Sequence, residues 1–385
     1  MLLRFSAIGF ALFLMACSFP TSTGGTSEYV SDQVYPDNTL SSKKAERYQA
    51  LLDRYTDAGI PGMVMLIDSP MGFWAGASGF ANIASGTKLQ KNAVLQVGSV
   101  TKTFIGAAFL RLESEGKLSL ADLAAKYLDP EIVRRVANCN SVTIKQLLTH
   151  TTGIPDYSSS SDFASFLDSV SDTTRRLSAN AILRKYIFDR NSVFAIGSDF
   201  GYSNTNYLLL GLILENVSGQ PAHKALSDLI LGPLGLAYTS LYAGGGRPKG
   251  LAEGYISFYQ GIFDNVTDLL DTGVDGGVLS STLDVLTFAK SIFQEQLLNS
   301  AQKEIMLNSG IEKKSGEWTS RYGIGIMTDT LNGEVIHWHN GRVLGYNYFF
   351  AYFPQKSTYI VWGMNANGPK LSDFPTNLEL LAMNE

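Results

Sequence analysis

Cysteine is nearly absent: the chain has Cys17 and Cys139 and no other. A cysteine-based metal site is therefore excluded, and so is an internal disulfide once Cys17 is lipidated or cleaved away. Cys139 has no nearby histidine or run of cations, so it reads as a small buried residue and not as a nucleophile. Histidine is equally scarce, at His150, His223, His337 and His339. His337 and His339 alternate and share one strand face, but nothing near them completes a zinc site, and neither a metal nor a cofactor is expected. His150, in a stretch dense in turn formers, reads as structural, and His223 as a surface residue on a helix. Charged residues make up only 17% of the chain, with a net charge of −5 and no basic stripe, which argues against nucleic acid as a partner. No internal repeat is visible.

The ends carry the first positive signals. Met1-Leu2-Leu3-Arg4 precedes an apolar run from Phe5 to Ala16 that is too short to span a bilayer, so residues 1–17 read as a secretory signal. Leu14-Met15-Ala16-Cys17 also resembles a bacterial lipobox, although Met15 is an unusual residue there; the alternative is an ordinary cleaved signal. Ser18 follows the cysteine and no residue between Cys17 and Gly25 is charged, which by resemblance to lipoprotein sorting suits a Gram-negative outer membrane. Export to the cell envelope or periplasm is expected, with membrane contact only through a lipid at Cys17. Residues 18–44, rich in Ser, Thr, Pro, Gly and Asp, read as a flexible tether. The remaining stretch, 45–385, suffices for one large domain or two joined lobes.

Periodicity divides that stretch into three parts. Tyr48, Leu51, Leu52 and Tyr55 recur at helical spacing between Ala45 and Gly59. The apolar runs Gly62–Asp68 and Gly72–Gly79, broken by Ser69-Pro70, predict a hairpin. Helical patterns dominate the middle: 101–128 with a break at Gly116, 143–148, 203–217 and 221–230. Near the C-terminus, 334–338, 346–353 and 358–363 are rich in β-branched and aromatic residues and predict an antiparallel meander, followed by a helix from Leu371 to Met383. The expected fold is α/β (α+β): a mainly antiparallel sheet built from both chain ends, flanked by helices, with an inserted all-α lobe over roughly 105–255. A cleft between the lobes is the expected site.

Three segments carry chemistry. In Val97-Gly98-Ser99-Val100-Thr101-Lys102, spacing of i,i+3 at a helix start puts Ser99 and Lys102 on one face, where the lysine can take the serine's proton. The same pattern also arises by chance, and the residues around Ser99 lack the G-x-S-x-G elbow of a Ser-His-Asp enzyme. Tyr202-Ser203-Asn204 offers a phenol that relays protons and an amide that binds a substrate peptide group, or else a surface turn capping a helix. In Trp338-His339-Asn340-Gly341-Arg342, Gly341 permits close approach of a ligand backbone, so that the Arg342 N–H could join the Ser99 N–H in an oxyanion hole.

With these three segments in order, the chain resembles the serine β-lactamases and penicillin-recognising DD-peptidases, in their class C-like branch. The motif set of that branch, S-x-x-K, Y-x-N and H-x-G, falls at Ser99/Lys102, Tyr202/Asn204 and His339/Gly341. Leu147-Leu148-Thr149-His150-Thr151-Thr152-Gly153-Ile154-Pro155 and Gly276-Gly277-Val278-Leu279-Ser280-Ser281 are similar to accessory stretches of the family. The resemblance, over roughly 45–385, implies Ser99 as nucleophile, Lys102 as its activating neighbour and Tyr202 as shared base and later acid. It also implies Asn204, His339 and Gly341 on the substrate. Arg342 departs from the small residue common there; its side chain either binds a substrate carboxylate or points to solvent. The implied reaction is two-step acyl transfer on a small peptide, ester or β-lactam. His339 in place of a permanent cation disfavours efficient β-lactam hydrolysis and favours a DD-carboxypeptidase-like or D-amino-acid peptidase or amidase. A carboxylesterase or weak β-lactamase on the same fold, and a non-catalytic peptidoglycan-binding envelope lipoprotein, are the alternatives.

Overall fold

A computed structural model describes residues 28–158, 177–259 and 262–367. The expected signal, the lipobox and the helix expected from Leu371 to Met383 lie outside the described residues. Among the described residues no helix is long and apolar enough to cross a membrane.

The main sheet is formed by β1 (Gly62–Ser69), β2 (Gly72–Asn82), β3 (Thr87–Lys88), β4 (Glu312–Ser315), β5 (Trp318–Tyr322), β6 (Met327–Leu331), β7 (Glu334–Val343), β8 (Tyr346–Phe353) and β9 (Thr358–Met364). Their order across the sheet is β3-β2-β1-β9-β8-β7-β6-β5-β4, antiparallel throughout. The two chain ends meet in its middle, where β1 pairs with β9 from Met63↔Met364 to Asp68↔Tyr359. Both strands are covered on both faces, and that is why they read as continuous apolar runs rather than alternating ones. On one face Val64, Leu66, Phe350 and Val361 join the large core; on the other Met63, Met65, Phe349 and Trp362 pack with Tyr48, Leu51 and Leu52 of helix α1 (Ser42–Asp57). The edge strands β4 to β6 carry no apolar stripe, with Lys313, Lys314, Thr328 and Thr330 at least partly exposed, and for that reason they escape a reading by periodicity.

Helices cover the large-core face. They are α2 (Thr101–Ser114), α3 (Pro130–Arg135), α4 (Ile144–Leu148), α5 (Ala179–Tyr186), α6 (Asn204–Ser218), α7 (Ala222–Leu226), α8 (Thr282–Phe293) and α9 (Ser300–Asn308). Helices α2 and α6 are buried along most of their length, so each is apolar around most of its circumference. The helical pattern expected to resume after Gly116 does not form an α-helix; only a 3₁₀ turn at Ala124–Lys126 appears before Pro130. There Asp122 accepts from the Ser119 backbone N–H and from Tyr127 Oη, and a side chain that bonds its own loop competes with helix.

The expected flexible tether needs correction over its described part. Residues 28–41 form neither helix nor strand, yet Tyr29 and Tyr35 are buried in the large core. Tyr29 Oη donates to Glu253 at 3.0 Å, Gln33 Nε2 donates to Asp284 at 2.7 Å, and Tyr35 Oη pairs with Thr282 Oγ1 at 2.9 Å. Two aromatic anchors among polar residues vanish in an average composition, but each buries enough apolar surface to fix the segment.

Candidate active site

Ser99 lies in a single 3₁₀ turn, Gly98–Val100, that runs into α2. With three residues per turn, positions i and i+3 stack over one another. Lys102 Nζ accordingly donates to Ser99 Oγ at 3.2 Å. The same ammonium donates to Asn204 Oδ1 at 2.8 Å and to the Asp275 carbonyl oxygen at 2.5 Å. Its side chain is fully buried, so all three donors of the cation are spent inside the protein.

The turn is pressed against β7. Gly98 has φ of +55°, and a Cβ there would meet Arg342 N at 2.7 Å. A Cβ on Gly341 would meet the Val97 carbonyl oxygen at 1.8 Å and Ser99 N at 2.9 Å. The backbone nitrogens of Ser99 and Arg342 are thus brought together by two glycines. Gly341 makes room for the chain's own backbone, where the sequence suggested room for a ligand.

Tyr202 and Asn204 arrive from the start of α6. The Ser203 hydroxyl does not cap that helix; it donates to the Pro155 carbonyl at 3.2 Å. Asn204 Nδ2 donates to Ser158 Oγ at 2.9 Å and the Asn204 N–H to Asp156 Oδ1 at 3.1 Å, which leaves the side-chain oxygen to Lys102. Both ends of this amide are therefore engaged within the protein, and its visible task is to hold the lysine. The Tyr202 ring centroid is 5.1 Å from Lys102 Nζ, a cation–π distance. That ring rests 4.4 Å from His150 and meets Tyr322 edge-on at 5.9 Å.

His339 is buried, with both nitrogens occupied. Its Nδ1 lies 2.6 Å from the Asn340 carbonyl oxygen, which only accepts, so Nδ1 carries the proton and Nε2 accepts from Tyr322 Oη at 3.0 Å. The sequence suggested a substrate contact for His339; in the structure both of its ring nitrogens are engaged within the protein. The Arg342 side chain is exposed. Strand alternation puts it with Trp338 and Asn340, on the face opposite His339 and Gly341, and its Nε donates to Asn347 Oδ1 at 3.3 Å. Only its backbone borders Ser99.

Sequence reasoning missed two residues. Tyr322 reaches His339 only because β5, β6 and β7 pair in register, and no local pattern announces that. Asp275 had a signal, since it directly precedes the Gly276-Gly277 stretch. Its Oδ2 accepts from Tyr157 Oη at 2.6 Å, and burial raises its carboxyl above the ordinary range, against the pull of the Lys102 charge.

Burial also holds His339 and His337 neutral, pushing their pKa values from 6.5 down to about 3 and about 4. The unfolded chain takes up those protons below about pH 6.5 and the folded chain does not, so stability falls as pH drops from 6.5 toward 4. Urea midpoints measured between pH 7 and pH 4 are expected to fall less steeply in His337→Gln than in the native chain. Parallel curves would refute the assignment.

The Beta-lactamase family profile matches residues 45–382. The chain belongs to the Beta-lactamase family. Members of this family are serine hydrolases that act through an acyl-enzyme. "Protein flp" of Staphylococcus aureus is 28% identical over 347 residues, 86% of this chain and 66% of its own length. The chain thus spans just under two thirds of that relative. "Penicillin-binding protein 4*" of Bacillus subtilis is 26% identical over 284 residues, covering 70% of this chain and 60% of its own. Among solved structures, a D-stereospecific amidohydrolase from Streptomyces superposes with a TM-score of 0.73 at 26% identity, over 86% of this chain and 95% of that one.

Proposed function

We propose that this Beta-lactamase family member is an exported serine hydrolase of cell-wall-type peptides, a DD-carboxypeptidase-like enzyme or D-amino-acid peptidase or amidase with Ser99 as acyl carrier. The observation that carries the reading is the fully buried Lys102 ammonium on Ser99 Oγ at 3.2 Å. Ser99 Oγ attacks the substrate carbonyl carbon while its proton passes to Tyr202 Oη, acting as a phenolate beside the Lys102 cation. The resulting oxyanion is received by the Ser99 and Arg342 backbone N–H groups. As the C–N bond breaks, Tyr202 returns that proton to the departing amine; water then attacks the Ser99 ester and releases the acid.

Three features support a peptide over a β-lactam. His339 is neutral and turned to Tyr322, so strand β7 offers no buried cation to a β-lactam carboxylate. The Arg342 guanidinium stands on the other face of the sheet. The similar Streptomyces protein is named a D-stereospecific amidohydrolase. Export rests on the composition of residues 1–17.

Protein lacking residues 1–17 is expected to be labelled covalently by a fluorophosphonate or a fluorescent penicillin, with the label lost in Ser99→Ala. Absence of label, or equal labelling of the variant, would sink the enzyme reading in favour of a binding protein. Hydrolysis of D-Ala-D-Ala peptides, p-nitrophenyl esters and nitrocefin then ranks the substrates. Faster ester than peptide turnover would make the chain a carboxylesterase.

A further inference from the structure

Tyr202 stands in residues 201–203, which are neither helix nor strand, and it is 37% exposed, so its own packing leaves one side open. Its two neighbours in the chain are bonded to a single residue. The Gly201 N–H donates to the His150 carbonyl oxygen at 3.0 Å, and the Ser203 N–H donates to His150 Nδ1 at 3.2 Å. The imidazole itself rests on the Tyr202 ring, with centroids 4.4 Å apart. One histidine thus contacts the chain before, at and after the phenol.

Neighbouring groups fix the state of that ring. The Ile154 N–H donates to Thr152 Oγ1, and Thr152 Oγ1 donates to Asn206 Oδ1 at 2.8 Å, which turns Asn206 Nδ2 to His150 Nδ1 at 3.1 Å. Nδ1 receives two N–H groups and carries no proton, so the proton is on Nε2. Burial, and after it the Lys102 charge, holds the histidine pKa well below its ordinary value, and the ring is neutral. No second cation therefore competes with Lys102, whose Nζ lies 5.1 Å from the Tyr202 ring centroid.

The backbone points the same way. His150 directly follows the C-cap of α4 and has φ of +55°. Glycine or asparagine usually stands at such a position, because a Cβ is strained there. The side chain is also fully buried, and its Nε2 finds no hydrogen-bond partner among the described residues. Neither the local backbone nor a complete set of hydrogen bonds accounts for a histidine here, and strain of this kind persists where the surroundings require it. The surroundings it serves are the residues around Tyr202.

We propose that His150 is a positioning residue for Tyr202: its carbonyl oxygen and Nδ1 clamp the chain on either side of the tyrosine, and its ring braces the phenol beside Lys102. This rests on the proposed reaction, in which Tyr202 Oη takes the Ser99 proton.

The test compares variants of the chain lacking residues 1–17 by their rate of fluorophosphonate labelling at Ser99. His150→Gly suits the left-handed backbone but removes ring and acceptor, and is expected to slow labelling about 10²-fold, the scale of an ångström of misplacement. His150→Asn tolerates the same backbone and restores an acceptor where Nδ1 stands, so it should recover about tenfold of that loss. The deciding measurement uses Tyr202→Phe as the background. There His150→Gly is expected to cost less than about threefold more, since its effect runs through the missing hydroxyl. A histidine that only stabilised the fold would impose its whole loss again on Tyr202→Phe. That outcome, or labelling of His150→Gly within about threefold of native, would overturn the proposal. His150→Leu takes the place of His150→Gly if the latter does not fold. Crystal structures supply a readout that needs no reaction: Tyr202 Oη is expected to move by about 1 Å or more in His150→Gly and to return in His150→Asn, and an unmoved Tyr202 would refute the clamp. A native chain that takes no label would sink the enzymatic reading alone, with the crystal structures still deciding the part played by His150.

Discussion

Lys102→Met is expected to slow covalent labelling of Ser99 by roughly 10³-fold, the scale of losing one partner in the proton transfer. Among the described residues, Lys102 Nζ is the one group hydrogen-bonded to Ser99 Oγ. The same substitution is expected to leave the melting temperature unchanged or to raise it slightly. Burying an ammonium costs several kcal/mol of desolvation, and its three acceptors here are a hydroxyl, an amide oxygen and a peptide oxygen, none of them charged. Methionine removes that cost and nearly fills the space, while it leaves Asn204 Oδ1 and the Asp275 carbonyl without a donor. The two changes roughly offset each other. Activity and stability should therefore separate at this position, as they do where a site is built against the stability of the fold. The second-order labelling rate and a thermal melt on the same sample decide it; a rate within tenfold of native would exclude Lys102 as the activating group.

Gly341→Ala carries the next largest effect. Its methyl group would lie 1.8 Å from the Val97 carbonyl oxygen and 2.9 Å from Ser99 N, so strand and turn must part. Losing one oxyanion donor typically costs about 10²–10³ in rate, and overpacking of this kind costs about 1–3 kcal/mol. Labelling of Ser99 is expected to fall by two to three orders of magnitude by that measure. Asn340→Ala, one residue away with its side chain in solvent, should label normally. Native-like labelling of Gly341→Ala would mean that the Arg342 N–H is not an oxyanion donor.

The sequence was most legible where spacing along one element decides the geometry. Ser99 and Lys102 are such a pair, and so are the apolar runs of β1, β8 and β9. It was less legible where a residue's role depends on what faces it. Gly341 was noticed as a glycine in a strand, yet its neighbour proved to be the Val97–Ser99 backbone. Asn204 was read as a substrate ligand because an amide suits a peptide, but three partners from distant segments claim it. His339 was read the same way until strand pairing delivered Tyr322. Arg342 turned on strand parity: one position from Gly341 means the other side of the sheet. Tyr29 and Tyr35 show the opposite error, in which a polar average hid two anchors.

The union of β1 and β9 at the centre of the sheet has a kinetic consequence. Loop closure between the two ends of the chain comes at an entropic cost before any contact rewards it, and folds dominated by such distant pairings form slowly. Ser99 and Lys102 are synthesised early, but Arg342 and the strands that hold it come near the end. On the proposed function, a nascent chain would carry Ser99 and Lys102 before the Arg342 N–H is in place, and covalent labelling of Ser99 is expected only once the last strands dock.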